Sequence, residues 1–174
     1  MFQGSCAYAS VNNLLKCAGS EQEVPEEVFT KCFVTMNNSK TRPKGSGPKE
    51  ENPFGSTVDD YFEMHVCALR QLFSCYLIKI RGLRATLRLQ KCMHEEGNWK
   101  KTRWLSQQTQ GLYLVFGHLD GQIKKEGHYV AGDASNGYIY DSFSCRKYDF
   151  CHDSFLEIFP LGIDCAHELI ITYY

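Results

Sequence analysis

The chain has 174 residues, which suffice for one domain with a hydrophobic core, and it is 43% hydrophobic and 22% charged, as globular proteins are. A net charge of −1 excludes the strongly basic composition of proteins that bind nucleic acid or membrane surfaces. The longest apolar runs, LYLVF and ELIIT, are too short to span a bilayer, and the first residues lack the order of a secretory signal. The nine cysteines are odd in number and irregularly spaced, which predicts free thiols in a reducing, cytoplasmic compartment.

The first part of the chain has the apolar spacing of helices. Ser5 to Ala18 is predicted to form the first helix, with apolar residues recurring at helical intervals. A second, short helix is predicted over 23–33 and a third over 57–73. Residues 36–55 are polar and rich in Pro and Gly, which predicts a surface loop within a single domain spanning 1–174.

The second part of the chain has the pattern of strands. A weakly alternating stretch, YLIKIRGL, predicts a strand over 76–83, whereas we expect a short helix over 84–96. Further strands are predicted over 111–121, 127–133 and 138–143, with Ser-Asn-Gly as a hairpin turn, and HELIITYY closes the chain as a last strand. Helices that precede a sheet of antiparallel strands predict an α+β fold.

Cys6 stands at the head of the first predicted helix, next to Gly4, Ser5 and Ala7. The unpaired N–H groups and the positive dipole end of a helix N-terminus favour the thiolate of a cysteine placed there, and only the thiolate is a good nucleophile. The same N–H groups can donate to an oxyanion, and small neighbours let a carbonyl group approach. The position therefore predicts a nucleophile, with a small buried cysteine as the alternative.

A thiol nucleophile needs a base, and the base needs an acceptor that orients it. His128 begins the predicted strand GHYVAGD, and the next strand returns through a tight turn to end at Asp141. A hairpin of this length brings the two residues level, so Asp141 can fix the imidazole tautomer. His118 also lies near a strand end, but the Asp-Gly that follows favours a turn residue there.

Taken in order, GSCAYASVNNLLK, GHYVAGD and YIYDS resemble the papain-like cysteine peptidase superfamily. SCAYASVNNLL is most similar to the helix of Josephin deubiquitinases, and the two strands are more similar to bacteriocin-leader peptidases. The resemblance implies N-terminal helices packed on a C-terminal antiparallel sheet, with Cys6 as nucleophile, His128 as base and Asp141 as orienter. The family commonly places a Gln five or six residues before the Cys, whereas Gln3 lies three before it; Gln3 is the candidate oxyanion donor.

The resemblance implies a thiol hydrolase that cuts peptide or isopeptide bonds without a cofactor. A peptide or protein is the expected partner, either a ubiquitin-like protein or a larger polyprotein that the domain itself processes. A catalytically silent papain-fold interaction module and an acyl or glutamyl transferase are the alternatives. Zinc is not expected, because the Cys/His pairs at 92/94, 151/152 and 165/167 lack the tight spacing of zinc sites. The basic segment KKTRW is expected to be a solvated face rather than a docking site for an acidic partner.

Overall fold

The computed structural model describes residues 5–31, 69, 72, 78–92, 96–119 and 127–174. In chain order, the elements within these residues are α1 (Ser5–Ala18), α2 (26–31), β1 (Ile78–Ile80), β2 (Leu83–Lys91), α3 (Asn98–Ser106), β3 (Leu112–His118), β4 (Gly127–Asp133), β5 (Tyr138–Asp141), β6 (Arg146–Asp149), α4 (His152–Ile158) and β7 (Ile163–Tyr173). No helix in this part of the chain is both long enough and apolar enough to cross a bilayer.

The first helix has the bounds that the sequence predicts. Its apolar residues Val11, Leu14 and Leu15 are buried, so the helical spacing of these side chains builds one continuous inner face. The helix ends at Gly19, which has a φ of +95° and donates its N–H to the carbonyl of Lys16. A residue with a Cβ is strained at this φ, so glycine is suited to the stop.

The strands form one open antiparallel sheet in the order β1-β2-β7-β3-β4-β5-β6. Its centre, β3 and β4, is buried on both faces, because alternate side chains join two separate hydrophobic clusters. Leu114 and Phe116 belong to the first cluster, which includes α1, whereas Tyr113 and Val115 belong to the second, which includes α3 and α4. The fold is therefore mixed α+β, with helices on both sides of the central strands.

The predicted helix over 84–96 is wrong, because β2 occupies Leu83–Lys91. Ala85, Leu87 and Leu89 are buried while the residues between them are exposed, which is the two-residue period of a half-buried strand. Arginine, leucine and glutamine favour helices intrinsically, but pairing of β2 with β7 along its length overrides that preference. The predicted strand over 76–83 is split by a turn at residues 81–82 into β1 and the start of β2.

The predicted strands over 111–121, 127–133 and 138–143 are present as β3, β4 and β5, and the last predicted strand lies within β7. Helix α3, strand β6 and helix α4 were not predicted. The predicted loop over 36–55 lies outside the described residues. So does most of the predicted helix over 57–73, of which Leu69 and Leu72 are described and are helical and buried.

Candidate active site

Cys6 is the second residue of α1 and is half-buried against the first hydrophobic cluster. Its backbone N–H belongs to the first turn, whose N–H groups have no acceptor within the helix. The sulfur and a hydrogen-bond donor that has no acceptor within the helix therefore occupy the same end of α1, where the helix dipole is positive.

His128 and Asp141 form a buried hydrogen-bonded pair across the β4–β5 hairpin. The imidazole Nε2–H donates to Asp141 Oδ1 over 2.6 Å, and the two residues are only 2% and 6% exposed. The register pairs Ala131 with Tyr140, so Asp141 lies diagonally across from His128 rather than directly opposite it. The side chains span this diagonal, which is within reach of long side chains on neighbouring strands.

The turn after β5 holds the Asp141 carboxylate in place. The N–H of Phe143 donates to Oδ1 over 3.0 Å, and the Ser144 hydroxyl donates to Oδ2 over 2.9 Å. Burial raises the pKa of Asp141, but the hydrogen bond and the charge of His128, together with these two donors, lower it below its ordinary value. Asp141 is therefore a carboxylate that is fully supplied with donors and aimed at the imidazole.

The imidazole also contacts the Cys6 thiol. Burial lowers the pKa of His128, but hydrogen bonds with Asp141 and Cys6 and the charges of both outweigh it and raise the pKa to about 9. Because Nε2 is bonded to Asp141, Nδ1 is the ring nitrogen left for the sulfur. The structure thus brings the three residues into one contact chain, and at neutral pH the central imidazole is positively charged.

Helix α1 is fastened to β4 close to this contact. The hydroxyl of Ser10, which is fully buried, donates to the carbonyl of Tyr129 over 3.1 Å. Ser10 lies one helical turn after Cys6, and Tyr129 directly follows His128. This hydrogen bond therefore fixes the position of α1 along β4 at the point where the thiol and the imidazole meet.

Two aromatic rings flank the imidazole. The ring of Phe143 lies 5.8 Å from it in an edge-on arrangement and is 76% exposed. The ring of Phe159, which is completely buried, lies 6.1 Å away. The imidazole thus has one exposed aromatic neighbour, Phe143, and one that belongs to the protein core, Phe159.

His118, the other candidate base, is bonded to a different carboxylate. Its Nδ1 lies 2.6 Å from Asp164 Oδ2, and Asn98 donates to the other oxygen of the same carboxylate. Asp164 sits at a bulge in the β3–β7 pairing, between Cys165 and Ile163. His118 is the last residue of β3 rather than a turn residue, and with Asp164 it ties together α3, β3 and β7.

Two other cysteines, Cys17 and Cys92, have raised pKa values. Burial and the charge of Asp133 raise the pKa of Cys17 to about 11, and burial and the charge of Glu168 raise the pKa of Cys92 to about 11. At pH 7.5 roughly 3 in 10,000 of such thiols are ionised. Cys17 is half-buried on the same helix as Cys6, so it serves as an internal reference for thiol reactivity.

Of the four residues predicted for the site, the structure brings together Cys6, His128 and Asp141. Gln3 lies outside the described residues. Phe159 was missed because it reaches the site from α4, an element that was not predicted. Ser144 was also missed, although the sequence DSFS, in which short polar side chains follow a strand, is a recognisable turn signal.

Comparison with known proteins gives no relative from which a role could be transferred. No protein-family model, curated protein or solved structure matches this chain. Within the part of the chain that the structure describes, no three His, Cys, Asp or Glu side chains are grouped so that they could hold a metal ion. A function for the site therefore has to be argued from its own geometry.

Proposed function

We propose that the protein is a papain-like cysteine peptidase that hydrolyses peptide or isopeptide bonds. The observation that carries this proposal is the contact chain from the Cys6 thiol through the His128 imidazole to the Asp141 carboxylate. A nucleophile, a base and an orienting acceptor from α1, β4 and β5 meet in the order that thiol catalysis requires. The α+β fold, with a helix that presents the cysteine to a central antiparallel sheet, agrees with a papain-like domain.

In the first half of the proposed reaction, the Cys6 thiolate attacks the carbonyl carbon of the scissile bond. The C–N bond breaks, and the leaving amine takes its proton from the imidazolium of His128, which leaves a thioester on Cys6. Asp141 holds Nε2–H, so that Nδ1 faces the sulfur and the leaving group. The N–H of Cys6, in the first turn of α1, donates to the developing oxyanion, and Gln3 remains the predicted second donor.

In the second half, water attacks the thioester carbonyl and gives a proton to the neutral His128. The bond between sulfur and carbon then breaks, a carboxylic acid leaves, and the thiolate–imidazolium pair is restored. A transferase would use the same residues, with an amine or alcohol in place of water. We favour hydrolysis, because water is the acceptor that needs no binding site of its own.

The alternative is a papain-fold module that binds a partner without catalysis. The contact of the His128 imidazole with the Cys6 thiol argues against it, because a purely structural tie needs only a histidine and a carboxylate, as in the pair of His118 and Asp164. Burying a charged group is costly unless it is paired, so a buried charged pair in contact with a nucleophile is expected mainly at a catalytic site.

The test is selective alkylation of Cys6. At pH 6, where ordinary thiols are almost entirely protonated, iodoacetamide should modify Cys6 at least about tenfold faster than the exposed Cys145 and Cys151. Cys17, on the same helix and equally half-buried, should stay unmodified. Peptide mass spectrometry follows all sites in one sample. Uniform, slow modification would favour the silent module.

The His128→Ala variant separates the base from the helix terminus. It should lose the selective modification of Cys6 and, with any substrate, about 100-fold or more of the hydrolysis rate. Selectivity that persists in this variant would mean that His128 is not the partner of Cys6. A ubiquitin vinyl sulfone that reacts while a generic peptide substrate is left intact would support the deubiquitinase branch over self-processing.

The proposed chemistry needs Cys6 in its reduced form, so we place the protein in a reducing, intracellular compartment. None of the six cysteines that the structure describes is in a disulfide, which agrees with that placement.

A further inference from the structure

Phe159 closes the inner side of the imidazole. It follows the last residue of α4, where its N–H donates to the carbonyl of Phe155 over 2.7 Å, and no part of it is exposed. Its ring is inclined by 49° to the His128 ring at a centroid distance of 6.1 Å. A fully buried ring at a helix end has little freedom to move, so it presents a fixed wall to His128.

Gly117 makes the space that Phe159 fills. It is the residue of β3 directly opposite His128, and directly opposite residues in antiparallel strands share one face of the sheet. A Cβ atom at this position would lie 2.6 Å from Cδ1 of Phe159 and 2.9 Å from its Cγ, both well inside contact distance. The absence of a side chain at 117 thus allows the phenyl ring to occupy the place beside the imidazole.

The hydrogen bond to Asp141 does not by itself fix the imidazole. A histidine ring turns easily about its last side-chain bond, and a ring held at one nitrogen can still pivot about that hydrogen bond. Such a pivot would carry Nδ1 away from Cys6. Among the described residues, the ionisable groups that act on His128 are Asp141 and Cys6, each through a hydrogen bond and its charge.

We infer that Phe159, seated over Gly117, is a positioning residue that holds the His128 ring in the orientation in which Nδ1 faces the Cys6 sulfur. Phe143 is less suited to this task, because it is 76% exposed and stands on the turn after β5. The inference rests on the proposed function for its catalytic meaning, but the orientation of the ring can be measured without any activity.

The experiment compares Phe159→Leu with Phe155→Leu in the whole chain. Phe155 is equally buried, belongs to the same cluster, lies one helical turn before Phe159, and packs on Phe150 at a centroid distance of 5.2 Å. The two variants lose the same side-chain volume from the same core, but only one of them touches His128. Long-range 1H–15N spectra give the tautomer and pKa of His128, and alkylation of Cys6 gives the pH range of the reactive pair.

Phe159→Leu should move the pKa of His128 down from about 9 by about one unit and slow the alkylation of Cys6 about tenfold at neutral pH. The Phe155→Leu variant should leave the pKa within a few tenths of a unit and the rate within about twofold of the parent. Equal changes in the two variants would overturn the inference, since both would then reflect a loosened core.

Gly117→Ala provides a second route if Phe159→Leu does not fold. It keeps the phenyl ring but displaces it, so it should reproduce the lowered pKa and the slower alkylation; parental values of both would overturn the inference. A parent chain that shows an oriented imidazole but no selective modification of Cys6 would refute the proposed function and leave the positioning role standing. Selective modification of Cys6 in the parent chain, together with an unchanged His128 pKa in Phe159→Leu, would refute the positioning role and leave the proposed function standing.

Discussion

Replacing Asp141 by asparagine tests how the candidate base acquires its charge. Asparagine has the same size and keeps an oxygen that can accept the bond from Nε2, but it carries no charge. The pKa of His128, about 9 against an ordinary 6.5, corresponds to roughly 3 kcal/mol in favour of the imidazolium. Burial opposes that preference, so loss of the carboxylate should lower the pKa by about two units. At pH 8 the protonated fraction should fall from about nine tenths to about one tenth.

The assay is an NMR titration of the His128 imidazole, because alkylation consumes the Cys6 thiolate and takes no proton from the ring. In the parent chain the midpoint of the titration should lie at about pH 9. In Asp141→Asn the midpoint should lie about two units lower. A midpoint that stays near 9 in the variant would show that Asp141 is not the main source of the charge, and the assigned role would fail.

Three further predictions concern the same contacts. Ser10→Ala should destabilise the fold by about 1–2 kcal/mol in urea unfolding and also slow the alkylation of Cys6, because it releases the helix from β4; lost stability with an unchanged rate would limit Ser10 to a structural role. Ser144→Ala should lower the pKa of His128 by less than one unit, since Asp141 keeps its charge and its other donors; a fall as large as that in Asp141→Asn would contradict this. The pKa of His128 is higher in the folded chain than in the unfolded one, so its stabilising contribution is complete below about pH 6.5 and is lost as the pH rises through about 9. Thermal unfolding should therefore show a loss of roughly 3 kcal/mol over that window in the parent chain and a much smaller one in Asp141→Asn.

Local patterns were sufficient to predict the elements that carry the contact chain. The helical spacing and the glycine stop of α1 lie within one short segment, and so do the alternation and the turn of the β4–β5 hairpin. The bond between His128 and Asp141 follows from the hairpin alone, because a tight turn sets which residues come near each other. The meeting of Cys6 with His128 could be proposed from chemistry, but only the packing of α1 on β4 brings them together.

The features that could not be predicted depend on partners distant in sequence. Strand β2 has helix-favouring residues and is a strand because β7, some 80 residues later, pairs with it. The bulge at Asp164 places its carboxylate against His118, a contact that neither local sequence predicts. Gly117 likewise gives no sign that Phe159 will lie over it. A glycine within an apolar strand does indicate close approach of another group, but it does not identify that group.

The hydrogen bond between Ser10 and Tyr129 joins residues 119 positions apart in sequence. The first turn of α1 can form as soon as its own residues are free, yet the thiol acquires its imidazole neighbour only when a strand from the last third of the chain has docked. During synthesis, the cysteine thus stays an ordinary thiol until most of the polypeptide has emerged and folded. In refolding experiments, the time at which Cys6 becomes selectively reactive would mark the docking of α1 on β4, a contact between distant parts of the sequence that chain topology makes slow to form.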